Sequence, residues 1–291
     1  MKIIITGASG LLGSHLYTFF SSQHSVIGTF HSQEKKALLP LNLCNLSDTQ
    51  AFISTHKPDV IIHTAALTNV DQCNTDLDLA YQLNVQTVKH LTLALQSYPS
   101  TRLIQISTDQ VYNKAYSKEE DTFPINGYGI TKLLGEYIAL QHPNTVVLRT
   151  NFYGWGQNKP SFSDWIIKTV TSRQPITLFD DVFFSPLYLS QLSHILDLTI
   201  STSLSGVYNA GSQDRVSKKE FAISLANELK LDISYAGTGS AKMANMTAKR
   251  PTDMSMDSGK LYNALHLMPY TLQSGLRQLA IDQEVITHAT N

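Results

Sequence analysis

The chain opens on M-K-I-I-I-T-G-A-S-G-L-L-G, an apolar strand that runs through a glycine turn directly into helix-period residues at about 10–22. Few folds accept that order. Glycine at position 7 permits the tight turn. At 10 it lets backbone amides approach a pyrophosphate, and at 13 it lets the helix pack close to the sheet, its N-terminus facing the anion. A glycine turn by itself is common; one that ends the first strand of a βαβ unit reads as a dinucleotide site. Gly7, Ser9, Gly10, Leu11, Leu12 and Gly13 are therefore expected to bind cofactor.

The next 140 residues repeat the rhythm. Apolar runs at Ile3 to Ile5, Val26 to Thr29, Val60 to Ile62, Leu103 to Ile106 and Val146 to Leu148 lack period-2 alternation, as strands covered on both faces do. Helix-period segments near 10–22, 48–56, 77–97 and 127–142 separate them. The expected class is α/β, a Rossmann-type doubly wound parallel sheet over residues 1–150. After Arg149 the pattern changes to a glycine- and aromatic-rich loop, N-F-Y-G-W-G-Q-N-K-P. Beyond it come a helix near 161–173, a strand at Ile176 to Phe179, a helix at 187–200, a strand and turn at 205–212, and a helix at 217–229 with Ser217 and Glu220 as its capping box. Residues 151–291 thus read mainly as a smaller C-terminal α/β substrate lobe, with some segments returning to the first domain.

Composition narrows the partners. Apolar residues make up 42% and charged residues 15% of 291, with a net charge of -1; a nucleic-acid binder would carry a basic footprint that is missing. The first apolar run, about five residues, is too short for a signal core of roughly 7–15 or a membrane span of about 20, so no membrane association and a cytoplasmic location are expected. Cys44 and Cys73 form no pair motif, and the ten histidines follow no ligand spacing, so no metal site is expected.

Tyr128 and Lys132, in N-G-Y-G-I-T-K-L-L-G-E, lie four residues apart on one helix face. A phenol one turn from an ammonium is expected to have a lowered pKa, and beside a nicotinamide the pair would reduce a carbonyl. Ala65 and Ala66 end the fourth strand with side chains small enough for a cofactor to pass. After the second strand, T-F-H-S-Q-E-K-K sets His31 and Ser32 where a carboxylate would select NAD, and Lys35 and Lys36 can supply positive charge; NADPH is expected, with NADH the second choice.

T-G-A-S-G-L-L-G, H-T-A-A-L-T-N-V-D, I-S-T-D-Q-V-Y, P-I-N-G-Y-G-I-T-K-L-L-G-E and A-K-R-P-T-D together resemble the extended short-chain dehydrogenase/reductases, and among them the dTDP-4-dehydrorhamnose reductase group. The resemblance spans nearly the whole chain. It implies reduction of a 4-keto-6-deoxy nucleotide-sugar, with hydride from the nicotinamide and a proton from Tyr128. It also implies that Thr108 binds the carbonyl oxygen, that Lys132 tunes Tyr128 and holds the nicotinamide ribose, and that Asn84 supports the site. Arg250, in R-P, matches the diphosphate-binding arginine. Arg149-Thr150-Asn151-Phe152 stands where the group carries R-T-S-W, and Phe183-Phe184-Ser185-Pro186-Leu187 where it carries G-S-P-T; both segments lie where the sugar should sit, which makes Asn151 a substrate candidate and leaves base and sugar open.

Three other readings share the fold. A dehydratase of this family needs T-D-E at the fifth strand, whereas Thr108-Asp109-Gln110 offers an amide that cannot shuttle a proton. An epimerase would keep NAD tightly bound. A non-catalytic NADP-binding regulatory subunit, like the β subunit of methionine adenosyltransferase, would use the fold as an interaction module, and a homodimer stays open.

Overall fold

The computed structural model describes residues 1–32, 34–156, 160–243 and 246–289, the side chains of 284–289 excepted. In chain order the first half contains β1 (Lys2–Thr6), α1 (Leu11–Ser21), β2 (Ser25–Phe30), β3 (Leu39–Pro40), α2 (Leu46–His56), β4 (Val60–His63), α3 (Val70–Thr75), α4 (Leu77–Tyr81), a π turn (Gln82–Gln86), α5 (Thr87–Ala94), β5 (Arg102–Thr108), α6 (Gly127–Ala139) and β6 (Thr145–Thr150). The second half adds β7 (Phe152–Tyr153), α7 (Phe162–Thr171), β8 (Thr177–Phe179), β9 (Phe183–Phe184), β10 (Leu187–Tyr188), α8 (Leu189–Ile200), β11 (Gly206–Ala210), β12 (Val216–Ser217), α9 (Lys218–Glu228), β13 (Gly237–Gly239), α10 (Gly259–Ala264) and α11 (Leu272–Ala289).

Seven strands form one parallel sheet in the order β11-β6-β5-β4-β1-β2-β3, the doubly wound arrangement expected. Side-chain alternation assigns each residue of an apolar run to a face. Ile3, Ile5, Val60, Ile62, Ile104, Ile106, Val146 and Leu148 join Leu12, Leu16 and Phe20 of α1 and Leu192, Ile195 and Leu196 of α8 in one cluster. Ile4, Ile61, Leu103 and Val147 pack on the other face with Ile53 of α2, Leu91 of α5 and Ala139 of α6. Each such side chain, fully buried, contributes about 1.5–3 kcal/mol.

A further cluster gathers Tyr153, Ile166, Leu178, Phe184, Phe221, Leu225 and Leu276, its aromatic rings meeting edge-on or stacked around Phe221. The chain beyond Thr150 feeds both this cluster and the sheet, because β11 pairs in parallel with β6 from Gly206↔Val146 to Ala210↔Thr150. Capping matches expectation at α9, where Ser217 and Glu220 close a capping box; at α2 Asn45 accepts from the Asp48 amide.

One predicted helix is divided. Instead of a single run over 77–97, α4 passes through the π turn at Gln82–Gln86 before α5 continues. Its cause is tertiary: Asn84 turns inward, accepting the Leu67 N–H at 2.8 Å and donating to the Leu67 carbonyl and the Thr131 hydroxyl. A π bulge redirects a side chain in this way without breaking the helix. Among the described residues no helix is long and apolar enough to cross a membrane.

Candidate active site

A cavity of about 540 Å³ opens along the carboxyl ends of the sheet strands, across the point between β1 and β4 where strand order reverses. Gly7 has φ +72°, and a Cβ there would lie 2.8 Å from the Ala65 backbone; only glycine fits both demands. A Cβ on Gly13 would lie 2.8 Å from Ala8 Cα, so the third glycine sets how closely α1 packs. Gly10 is the α1 N-cap, with no side-chain cap and no acid in the first turn. The positive helix end and its open N–H groups therefore face the cavity. Thr64 donates to the Thr6 carbonyl at 2.7 Å, holding Ala65 and Ala66 against the loop.

Of the expected cofactor residues, Gly7, Ser9, Gly10, Leu11, Leu12, Gly13, His31, Ser32, Ala65, Ala66, Tyr128 and Lys132 all line this cavity. His31 and Ser32 are exposed at its rim, whereas Lys35 and Lys36 do not line it. Asn42 and Cys44, from the segment after β3, line it as well; the sequence carries no pattern that marks them.

Helix α6 brings the reactive groups in. Its N-cap Asn126 accepts from the Gly129 amide at 2.8 Å and donates to Gln110 and to the Lys249 carbonyl. That anchors the helix start to the end of β5. Tyr128, Lys132 and Glu136 follow at four-residue spacing on the buried face. The Tyr128 phenol and the Thr108 hydroxyl line the same cavity. Thr108 also accepts the Gln110 N–H at 3.2 Å and donates to Asp109 Oδ1 at 3.3 Å.

The electrostatics correct the expectation for Tyr128. Burial pushes its phenol above the ordinary tyrosine value, opposed by Thr108 and reinforced by the nearby Asp109 carboxylate. Lys132 directs its ammonium to the Ile106 carbonyl at 2.7 Å. Burial brings Lys132 itself down to about 8, opposed by Glu136. Deep burial holds His63 near 3, with Lys132 adding to the effect, so that imidazole is neutral where Lys132 is charged. A phenol that stays protonated is a loaded proton donor.

Behind these groups lies a buried ionic network. Arg149 of β6 forks onto Glu136, with Nη2 to Oε2 at 2.6 Å and Nε to both oxygens at 3.0 Å. It also donates to the Tyr112 hydroxyl and the Glu119 carbonyl, each at 2.6 Å, while Ser107 donates to Glu136. Tyr112 in turn donates to Asn209 of β11 at 2.7 Å. The network ties α6 to three sheet strands and fixes the helix one turn beyond Lys132.

The remaining candidates are distributed differently. Asn84 stands outside the cavity wall and bridges Leu67 to Thr131 of α6, so it braces the site without facing it. Asn151 lines the cavity and donates to Asp109 Oδ2 at 2.7 Å. Arg250 does not line it; its guanidinium is engaged by Asp71 at 2.9 and 3.2 Å and by the Ala248 carbonyl. Asp109 was overlooked as a site residue, although it adjoins Thr108 in T-D-Q. It is 1% exposed and lines the cavity, and burial raises its carboxyl pKa.

The family model described as RmlD substrate binding domain matches residues 1–284. A dTDP-4-dehydrorhamnose reductase from Aggregatibacter actinomycetemcomitans is 26% identical over 296 residues, spanning 96% of this chain and 98% of its own length. A methionine adenosyltransferase 2 subunit beta from Xenopus laevis is 29% identical, spanning 89% and 81% respectively. Among solved structures, a dTDP-4-dehydrorhamnose reductase from Bacillus anthracis in complex with NADP superposes with a TM-score of 0.88 at 28% identity, covering 97% of this chain and 99% of that one.

Proposed function

The chain belongs to the RmlD substrate binding domain family, and from that premise we propose that it reduces a 4-keto-6-deoxy nucleotide-sugar with NADPH, NADH being the second choice. The observation that carries this reading is that Tyr128, Thr108 and Lys132 line the same cavity as the glycine loop. The Gly7 cradle and the uncapped α1 terminus fit a dinucleotide. When bound, that cofactor supplies the hydride to the sugar carbonyl carbon. Tyr128, kept protonated by burial, gives its proton to the carbonyl oxygen. Thr108 donates a hydrogen bond to the same oxygen as charge develops there. Lys132 holds the nicotinamide ribose, and Asn84 keeps α6 in register through Thr131. Residues 1–150 carry the cofactor, and 151–291 mainly carry the sugar nucleotide.

Gln110 is bonded to Asn126 and offers no acid for water loss, which favours reduction over dehydration. A second reading, a regulatory cofactor-binding subunit, is favoured by the methionine adenosyltransferase relative. The protein is proposed to be cytoplasmic and to pair as a homodimer through the exposed Ile130, Leu134 and Tyr137 of α6 with Leu77 and Tyr81 of α4. Incubation of 4-keto-6-deoxy nucleotide-sugars with NADPH or NADH, with products identified by NMR, tests the reductase. No oxidation with any of them, together with stable capture of a methionine adenosyltransferase catalytic subunit, would favour the second reading.

A further inference from the structure

We propose, resting on the cofactor half of the reductase reading, that Thr150 is a cofactor residue whose hydroxyl hydrogen-bonds the carboxamide of the nicotinamide. Thr150 Oγ1 is buried and has no hydrogen-bond partner among the described residues. Side-chain atoms of His15, Arg102, Gln105 and Tyr153 share that state, but of the five residues Thr150 alone lines the cavity. A hydroxyl taken out of water without a partner costs free energy. Both chain neighbours are engaged, Arg149 with Glu136 and Asn151 with Asp109. They hold the end of β6 in place and leave the hydroxyl between them unmatched until a ligand completes it.

Its place in the sheet says which ligand atom that is. Thr150 pairs with Thr108 of β5 on one side and with Ala210 of β11 on the other, and Ala210 has no polar side chain to offer. Residues paired across parallel strands point to the same face. The pairs Ile104↔Val146 and Ile106↔Leu148 both belong to the cluster packed on α1, and Thr108↔Thr150 continues that row on the side of the glycine loop. A dinucleotide whose pyrophosphate meets that loop at β1 runs past Ala65 and Ala66 after β4 toward β5 and β6. Its one polar group beyond the ribose assigned to Lys132 is the carboxamide, carried on the ring carbon next to the one that gives the hydride. That places it beside Thr108, and β6 is one strand spacing further along, about 4.8 Å. A carboxamide both gives and takes hydrogen bonds, as a hydroxyl does. Rotation of Thr150 between staggered positions exchanges methyl for hydroxyl without moving the strand, which turns Oγ1 from the interior to the ring. The contact fixes how the ring lies, and with it which hydrogen on its C4 faces the sugar.

The test titrates NADPH and 2′-phospho-ADP-ribose, which is the same molecule without its nicotinamide, into the wild type, Thr150→Val and Thr150→Ser by calorimetry. Valine keeps the shape and removes the hydroxyl. Thr150→Val should weaken NADPH binding about 2–10-fold, the worth of one neutral hydrogen bond, and leave 2′-phospho-ADP-ribose unchanged; Thr150→Ser should bind both as the wild type does. Without cofactor, Thr150→Val should unfold at a higher urea midpoint than the wild type, because a methyl group has replaced an unmatched hydroxyl. Weaker NADPH binding in a more stable protein cannot come from a damaged fold. Unchanged NADPH affinity, an equal loss on both ligands, or a lower midpoint overturns the assignment and leaves the reductase standing. A raised KM for the sugar nucleotide with NADPH affinity intact does the same, by giving the hydroxyl to the sugar. A wild type that binds neither NADPH nor NADH removes both.

Discussion

The two sides of the crevice are built by different means. On the cofactor side the shape is set by backbone: Gly7 at φ +72° against Ala65, Gly13 against Ala8, and an uncapped helix end. On the opposite side Asn151 is paired with Asp109 at the cavity wall, and outside the lining Arg250 is paired with Asp71 and Arg215 with Asp253. Backbone constraints restrict which residue is allowed at one position and so mark the sequence locally. Paired side chains only require that two distant positions complement each other, and many pairs will do so. The first side is hard to alter without losing the cofactor; the second can be retuned one pair at a time.

That contrast can be broken most directly where the two sides meet. Tyr128→Phe should lower kcat by roughly 10²–10⁴ while NADPH affinity stays within error in a fluorescence titration; near-normal turnover would remove Tyr128 from the chemistry. Next in size, Arg149→Met strands Glu136, both side chains being under 5% exposed. Losing one partner of a buried pair should cost about 3–5 kcal/mol in urea unfolding, and a loss under 1 kcal/mol would show that the network is not what anchors α6. The third concerns pH. In the proposed reaction Lys132 holds the cofactor ribose as the ammonium, and burial brings it down to about 8. Activity is therefore complete on the acid side of that value and declines as pH rises through it, about tenfold per unit in kcat/KM. A profile flat to pH 10 would contradict this assignment. Smallest is Arg250→Ala. Because Asp71 already engages the guanidinium, the variant should raise KM for the sugar nucleotide only several-fold and leave NADPH binding intact. Unchanged KM would confine Arg250 to its tie with Asp71.

Legibility followed the same division. The strand–glycine–helix opening, the period of the apolar runs and the Tyr128–Lys132 spacing are local patterns, and the sheet and the cofactor wall were readable from them. The capping box at Ser217 was readable for the same reason. What escaped depends on groups far apart in the chain. The π turn at Asn84 is dictated by Leu67 and Thr131, not by propensity within 77–97. The sign of the Tyr128 shift escaped because spacing shows that Lys132 is near but not how deeply the phenol is buried. Asp109 was visible as a letter beside Thr108, but its tie to Asn151 is made only by the fold.

The return of the chain as β11 has a practical meaning. Its register against β6 satisfies the outward amides and carbonyls of that strand from Val146 to Thr150. A fragment ending at Thr150 would expose them as a bare pairing template, prone to stick to other chains. The nucleotide-binding half therefore depends for its solubility on a segment encoded after the sugar-side residues begin, and any split, fusion or permutation of this protein has to carry residues 206–210 along with the first half.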